Sequence, residues 1–366
     1  LKKSLQVIFK RNLHFSIDKT NNILNEKWFV TFGISKVLDP NHNSQSINNK
    51  TSMRIIFMGT PDFAVESLRI LVENNYNVVA VITAPDKPVG RGQKLGVSPV
   101  KEYVLENAPH IPLLQPEKLK NPDFLEELRA YQADLQIVVA FRMLPEVVWD
   151  MPALGTFNLH GSLLPQYRGA APINWAIING ETETGVTTFF LKHEIDTGSV
   201  IFQEKEPISL ADNVGDVYVR LMHRGARLVL KTVQAIETGS YPQEPQDESG
   251  EIHHAPKIFK ETCQIDWNQP VKKIYDFIRG LSPYPVAWTI LNDKTCRIYQ
   301  ASILPLSELS SSVSPQTTTP TIGSYSTDGK KYLHYQCTDG ILSIENLQLE
   351  GKKRMGTEEF LRGYRL

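Results

Sequence analysis

From Arg54 onward, short apolar runs alternate with amphipathic stretches. The runs 54–58, 78–83, 111–114 and 135–140 read as strands, and 63–74, 99–107 and 123–131 between them read as helices. This alternation predicts a parallel sheet with crossover helices. A further strand end is expected at 155–160, where the period of two puts positions 158 and 160 on one face. Ligands in open α/β sheets bind beyond the carboxyl ends of strands, and Asn158 and His160 would lie at such an end. After Val233 the pattern changes. Thr238-Gly-Ser-Tyr-Pro-Gln-Glu-Pro-Gln-Asp-Glu-Ser-Gly250 has the Pro, Gly and acidic content of a linker. Beyond it, 271–281 reads as a short helix, and 286–291, 297–304, 332–337 and 340–350 as short strands with turn punctuation. These suggest a small barrel. The Ser/Thr/Pro-rich stretch 307–321 is expected to be a surface loop.

The chain begins at Leu1 and its first methionine is Met53, just before the first apolar strand. The preceding residues are rich in Asn, Ser and Lys and are expected to be a disordered, dispensable extension with Met53 as the natural start. Lys2, Lys3, Lys10 and Arg11 would suit a targeting segment, but Asp18, Glu26 and Asp39 and the lack of a clear apolar core argue against it. The expected organisation is therefore an extension over 1–52, a catalytic domain over 53–237, a linker over 238–256 and a second domain over 257–366.

The densest chemistry lies in Thr156-Phe-Asn158-Leu-His160-Gly-Ser162-Leu-Leu-Pro165. An amide that can donate a hydrogen bond sits beside a base of near-neutral pKa, a pairing suited to attack on a carbonyl. A carboxylate follows in His193-Glu-Ile-Asp196-Thr-Gly198, although Asp-Thr-Gly is by itself ordinary turn chemistry. His193 and Glu194 read as solvated edge positions, and His253 and His254 as exposed residues without metal-ligand spacing. Gly59-Thr-Pro-Asp62 resembles a nucleotide-binding turn, but Gly-x-Gly-x-x-Gly is absent, so NAD binding is not expected. Lys87-Pro-Val-Gly-Arg-Gly-Gln-Lys94 is a basic, glycine-rich loop and lacks the Gly-Lys-Ser/Thr of a phosphate-binding loop.

Composition adds little. The 366 residues, 41% hydrophobic and 22% charged, fit an ordinary soluble two-domain chain. A formal net charge of −1 gives no global signal for nucleic acid, so any such contact must come from local basic patches. Cys263, Cys296 and Cys337 are widely spaced and odd in number, and read as reduced thiols.

Asn-x-His, Ser-Leu-Leu-Pro and Asp-Thr-Gly in this order resemble the folate-dependent formyltransferases. Met58-Gly-Thr-Pro-Asp-Phe63, Pro85-Asp-Lys-Pro-Val-Gly-Arg-Gly92, Arg168-Gly-Ala-Ala-Pro172 and Gly351-Lys-Lys-Arg-Met355 resemble the members that formylate methionyl-tRNA. The resemblance runs from Met53 to the C-terminus. It implies a Rossmann-like parallel-sheet α/β domain followed by an OB-like β-barrel domain. It implies transfer of formyl from 10-formyltetrahydrofolate, a co-substrate, to the amino group of methionyl-initiator tRNA for translation initiation. Asn158, His160 and Asp196 would be catalytic. Phe141, Arg142, Met143 and Leu144, with Ser162, Leu163, Leu164 and Pro165, would wall the folate pocket. Phe-Arg-Met-Leu-Pro departs from the Tyr-Gly form common among those members, so backbone groups would carry that contact. Arg91, Lys94, Arg168, Lys352, Lys353 and Arg354 would contact tRNA. No metal or membrane is implied, and a cytoplasmic monomer is the expectation. Three alternatives stand beside this reading: formylation of an amino sugar nucleotide, hydrolysis of the folate itself, and a tRNA-binding module with an inactive catalytic domain.

Overall fold

The computed structural model describes residues 52–89, 94–304 and 321–366. The expected extension, the tip of the basic loop with Arg91, and nearly all of the Ser/Thr/Pro-rich loop lie outside the described residues.

The first half is built around β1 (Arg54–Gly59), β2 (Asn77–Ile82), a hairpin of β3 (Lys87–Val89) and β4 (Lys94–Gly96), β5 (Leu113–Leu114), β6 (Leu135–Val139), β7 (Thr156–His160), β8 (Arg168–Gly169), β9 (Glu183–Phe190) and β10 (Val200–Pro207). Its helices are α1 (Asp62–Glu73), α2 (Pro99–Asn107), α3 (Pro122–Ala130), α4 (Glu146–Trp149), α5 (Pro172–Ile178) and α6 (Val214–Thr238). The main sheet runs β10-β9-β7-β6-β1-β2-β5. The pairs from β5 to β7 are parallel, as expected. Two further strands, β9 and β10, extend the sheet in antiparallel pairing beyond β7.

Ile55 to Met58 are fully buried because β1 is central and covered on both faces. Alternation sends Ile55 and Phe57 into one core with α1, α5 and α6, and Ile56 and Met58 into another with α3 and α4. Helix α6 begins at a capping box between Asn213 and Asp216 and ends at Gly239 in the left-handed region. Its Gly225 lies against the catalytic strand candidate: a Cβ there would sit 2.7 Å from Leu159 Cδ2.

The second half carries β11 (His254–Ala255), α7 (Val271–Leu281), β12 (Ala287–Leu291), β13 (Lys294–Ile303), β14 (Tyr325–Thr327), β15 (Leu333–Gln336), β16 (Ile341–Leu349), β17 (Met355–Gly356) and α8 (Thr357–Gly363). Strands β12 to β17 form one antiparallel, OB-like half-barrel around a separate core that includes all three cysteines, which are free and buried. Helix α7 docks this half onto the first. Arg279, 6% exposed, bonds Asp276 Oδ1 at 2.7 Å and reaches across to the carbonyls of Ser209 at 3.3 Å and Asp212 at 3.1 Å. Asn174 donates to the Gly280 carbonyl at 2.8 Å, and Tyr275 to that of Leu210 at 2.8 Å. The described residues form one compact unit.

Candidate active site

Three neighbouring strands end at one level. Gly59 pairs with Val139, and Val139 with Leu159, so the turns after β1, β6 and β7 leave the sheet side by side. A Cβ on Gly59 would lie 2.5 Å from Ala64 Cβ and 3.1 Å from the Val139 carbonyl, which accounts for glycine at that turn. Asp62 follows it, and its carboxylate accepts a 2.5 Å hydrogen bond from the Tyr218 hydroxyl. Burial and that carboxylate push the Tyr218 phenol above its ordinary pKa.

Asn158 and His160 stand on one face at the end of β7, as alternation requires. His160 is 6% exposed. Its Nε2 lies 2.9 Å from the Tyr167 carbonyl. A carbonyl can only accept, so Nε2 carries the proton in that bond, and Nδ1 is the nitrogen left to face Asp196. The Nδ1 to Asp196 Oδ2 distance is 3.9 Å, an electrostatic contact longer than a hydrogen bond. The same Oδ2 accepts from the Gly169 N–H at 3.0 Å. Asp196 thus sits in the turn and also brings its carboxylate to the imidazole edge. The Asn158 amide is half-buried and has no hydrogen-bond partner among the described residues.

Backbone strain gathers here. Tyr167 (φ 60°) and Asp196 (φ 58°) both sit in the left-handed region, which disfavours residues with a Cβ. Ala140, before the 141–144 loop, does too, at φ 46°. Such residues persist only where surroundings over-determine them, and they cluster at functional sites.

The expected folate walls divide by role. The main chain of 141–144 makes no hydrogen bond among the described residues, and Met143 is 73% exposed, so this loop can offer backbone groups and apolar cover. Leu144 is buried below it. Arg142 turns away from β7: its guanidinium donates to the Glu117 carbonyl at 2.8 Å and to the Pro116 carbonyl, while its buried Nε has no partner. Phe141 lies under that guanidinium, 5.5 Å from ring centroid to Cζ. The Ser162 to Pro165 turn is pinned to β9. Thr187 Oγ1 donates to the Ser162 carbonyl at 2.7 Å and accepts from the Leu164 N–H at 3.1 Å. The Ser162 hydroxyl is spent on the Gln166 carbonyl at 2.6 Å. Leu163 packs over Gly185, where a Cβ would meet its Cδ2 at 2.4 Å. The role of Thr187 was not legible in the sequence, since one threonine in a strand carries no signal.

Of the expected tRNA contacts, Arg168, Lys352, Lys353 and Arg354 have described side chains. Lys94 opens β4, and its side chain lies outside the described residues. Arg168 reaches into the predicted linker, bonding Gln246 Oε1 at 2.6 Å and Glu248 Oε1 at 2.6 Å. Lys352, Lys353 and Arg354 are exposed on the half-barrel. Of these, Arg354 stacks on Tyr299 at 4.2 Å and donates to Asn346, while Lys353 lies 3.3 Å from Glu359. A separate concavity of about 870 Å³ lies beyond β5, lined by residues such as Gln115, Glu117 and Lys120. None of the expected catalytic, folate-wall or tRNA residues lines it, and it borders Arg142 only through the Pro116 and Glu117 carbonyls.

The predicted linker is an ordered part of this region. Its β11 pairs in parallel with β8. The Tyr167 N–H donates to the His253 carbonyl at 2.6 Å, and Ala170 N–H to that of Ala255 at 2.7 Å. His253 and His254 are exposed, as expected.

Comparison with known proteins gives a consistent result. Residues 53–233 match a family described as formyl transferase, and 257–365 match formyl transferase, C-terminal domain. A protein of Bacteroides fragilis named methionyl-tRNA formyltransferase is 60% identical over 320 residues, covering 87% of this chain and 97% of its own length. One of the same name from Bacteroides thetaiotaomicron is 60% identical over 331 residues, with the same coverage of 87% and 97%. Among solved structures, WlaRD, a sugar 3N-formyl transferase in the presence of dTDP and 5-N-formyl-THF, aligns with a TM-score of 0.57. At 21% identity, covering 82% of this chain and 99% of WlaRD, it shares the fold.

Proposed function

The chain belongs to the formyl transferase family and is an enzyme of formyl transfer, and on that premise we propose that it moves formyl from 10-formyltetrahydrofolate to the amino group of methionyl-initiator tRNA. In this reading Asn158, His160 and Asp196 are the catalytic group. When an amine adds to the formyl carbon, negative charge gathers on the formyl oxygen. The unpartnered Asn158 amide is suited to donate to it. Nδ1 of His160 is the nitrogen able to take the amine proton, directly or through water, and to return it to the leaving nitrogen. Asp196 offsets the positive charge the ring gains on taking that proton, while the Tyr167 carbonyl fixes the tautomer. The observation that carries the reading is that buried His160 is held between the Tyr167 carbonyl and the Asp196 carboxylate beside a free Asn158 amide.

The folate would rest against residues 141–144 and 162–165. The unbonded main chain of the first loop fits a flat heterocycle with hydrogen-bonding edges. The folate supplies the formyl group. The half-barrel and the basic hairpin bearing Arg91 and Lys94 would hold the tRNA, and Arg168 would act through the linker residues it binds. The setting in this reading is translation initiation by a cytoplasmic monomer. Relatives matched over 97% of their length carry the tRNA name, whereas the sugar enzyme shares the fold at 21% identity; this favours tRNA over an amino sugar nucleotide.

The test compares formyl transfer to methionyl-tRNA, free methionine and amino sugar nucleotides. Methionyl-tRNA should be used far faster than either. Asn158→Ala, His160→Ala and Asp196→Ala should each slow transfer strongly, about a hundredfold for a lost oxyanion donor. Near-normal turnover in folded His160→Ala protein would refute the catalytic assignment.

A further inference from the structure

We infer that Gln246, in the segment joining the two halves, is a positioning residue for this reaction: its amide fixes the turn that carries Asp196. The inference rests on the catalytic reading of Asp196 given above.

All hydrogen-bonding directions of this amide are accounted for. Nε2 donates to the Asp196 carbonyl at 2.7 Å and to the Gly198 carbonyl at 2.9 Å. Oε1 accepts from Arg168 Nε at 3.0 Å and Nη2 at 2.6 Å. Carbonyls only accept and a guanidinium only donates, so the amide has one possible orientation. Arg168 is itself held by Glu248 Oε1. The next residue, Gly169, gives its N–H to Asp196 Oδ2. Gln246 therefore grips the main chain of Asp196 while the Arg168–Gly169 strand grips its carboxylate, and Arg168 joins the two grips.

Three further observations make this more than a loop contact. Gln246 is half-buried while 242–245 and 247–250 on either side are exposed, so a polar side chain has been brought inward in an otherwise solvated segment. The turn it holds has the unfavourable left-handed backbone at Asp196. It also contains Gly198, where a Cβ would lie 1.5 Å from the Phe190 carbonyl, so only glycine lets the turn lie this close to the end of β9. Finally, the same segment holds the other side of the imidazole: His253 bonds the Tyr167 N–H, and the Tyr167 carbonyl bonds His160. The 3.9 Å spacing of His160 and Asp196 is thus set from outside the catalytic sheet.

The experiment uses the full chain and single-turnover formyl transfer to methionyl-tRNA with enzyme in excess. Folate affinity and thermal unfolding are measured alongside. Gln246→Ala should slow transfer at saturation by roughly tenfold to a hundredfold, the scale of a small misplacement of a reacting group. Folate affinity should change by less than about twofold, because the loss lies in positioning and not in binding. In an Asp196→Ala background the same change should add less than about twofold, since the group being positioned is gone. Equal slowing in both backgrounds would show that Gln246 serves the fold alone and would overturn the inference, as would an unchanged rate in Gln246→Ala. If the alanine variant melts early, Gln246→Met keeps the bulk without the hydrogen bonds and takes the same comparison. Near-normal transfer by Asp196→Ala alone would instead refute the catalytic reading, and is recognised before Gln246 is altered.

Discussion

Replacing Gly169 by alanine tests how tightly the joining segment supports the site. Gly169 has φ 127°, and a Cβ there would lie 2.4 Å from the Ala255 carbonyl oxygen and 3.0 Å from its carbon. Both are backbone atoms, so no side chain can swing away. Normal non-bonded separation is about 3.5 Å, so β8 and β11 must part by about 1 Å. The Ala170 and Ala171 N–H bonds to Ala255, at 2.7 and 3.2 Å, lie directly in that gap. A non-glycine residue at such a φ costs about 1–2 kcal/mol, and forcing an extra methyl into a packed site costs about 1–3 kcal/mol. Together this is about 2–5 kcal/mol, a large share of the roughly 5–15 kcal/mol that holds a domain folded. The shift also drags the Gly169 N–H from Asp196, and a displacement near 1 Å can slow chemistry about a hundredfold. Urea unfolding and single-turnover transfer should be compared with Gly250→Ala, whose Cβ would meet nothing within 4 Å. A Gly169→Ala protein as stable and fast as the Gly250→Ala control would refute the argument.

Three other outcomes are expected. Arg279→Met should destabilise by about 1.5–3 kcal/mol, because Asp276 keeps its exposed partner Lys272 but loses its buried one, and adding Asp276→Leu should recover part of that in urea titrations. The buried thiols should resist modification in the native state: burial pushes Cys296 up to about 12 and Cys337 up to about 11. Since free thiols titrate near ~8.5, the unfolded chain gives up these protons first; stability from this source is intact below about pH 8 and lost as pH rises toward ~12. Thiol labelling against pH, with and without urea, reads this directly. Neutralising Lys352 and Lys353 should flatten the salt dependence of tRNA binding by roughly 0.7–0.9 for each backbone phosphate that these lysines neutralise. Arg354 should matter less because it is already stacked on Tyr299, and an unchanged slope would remove this surface from the interface.

The parts of the fold legible in the sequence were those in which one element buries its own pattern. Helices 99–107 and 271–281 fell where their apolar spacing put them, and β1, β2 and β6 to within one residue. Strands β9 and β10 were not anticipated. The first is buried through most of its length but five of its eight residues are threonine, glycine or glutamate, and the second alternates at the sheet edge, so neither shows a plain apolar run. Asn158, His160 and Asp196 were singled out by motif chemistry; strand alternation accounts for the first two sharing a face, and the structure brings Asp196 beside the second. Gln246, Tyr167 and Thr187 act through main-chain carbonyls and N–H groups, and partners reached through backbone leave no trace in residue type. The joining segment looked like a solvated linker because its composition is one; its order comes from pairing with β8, a contact made across the chain.

The seam at Arg279 has a consequence for what the enzyme can measure. With a buried guanidinium tying α7 to the carbonyls of Ser209 and Asp212, the half-barrel is held at a set span from the end of β7. A rigid span is a gauge. In the proposed reading, an acceptor gripped on the half-barrel by its charged backbone would bring its amine to the imidazole only if the intervening length were right. Length would then be read without reading a single base. A disulfide engineered across the seam should leave turnover with tRNA unchanged; if turnover fell, the joint would be a hinge and the gauge would fail.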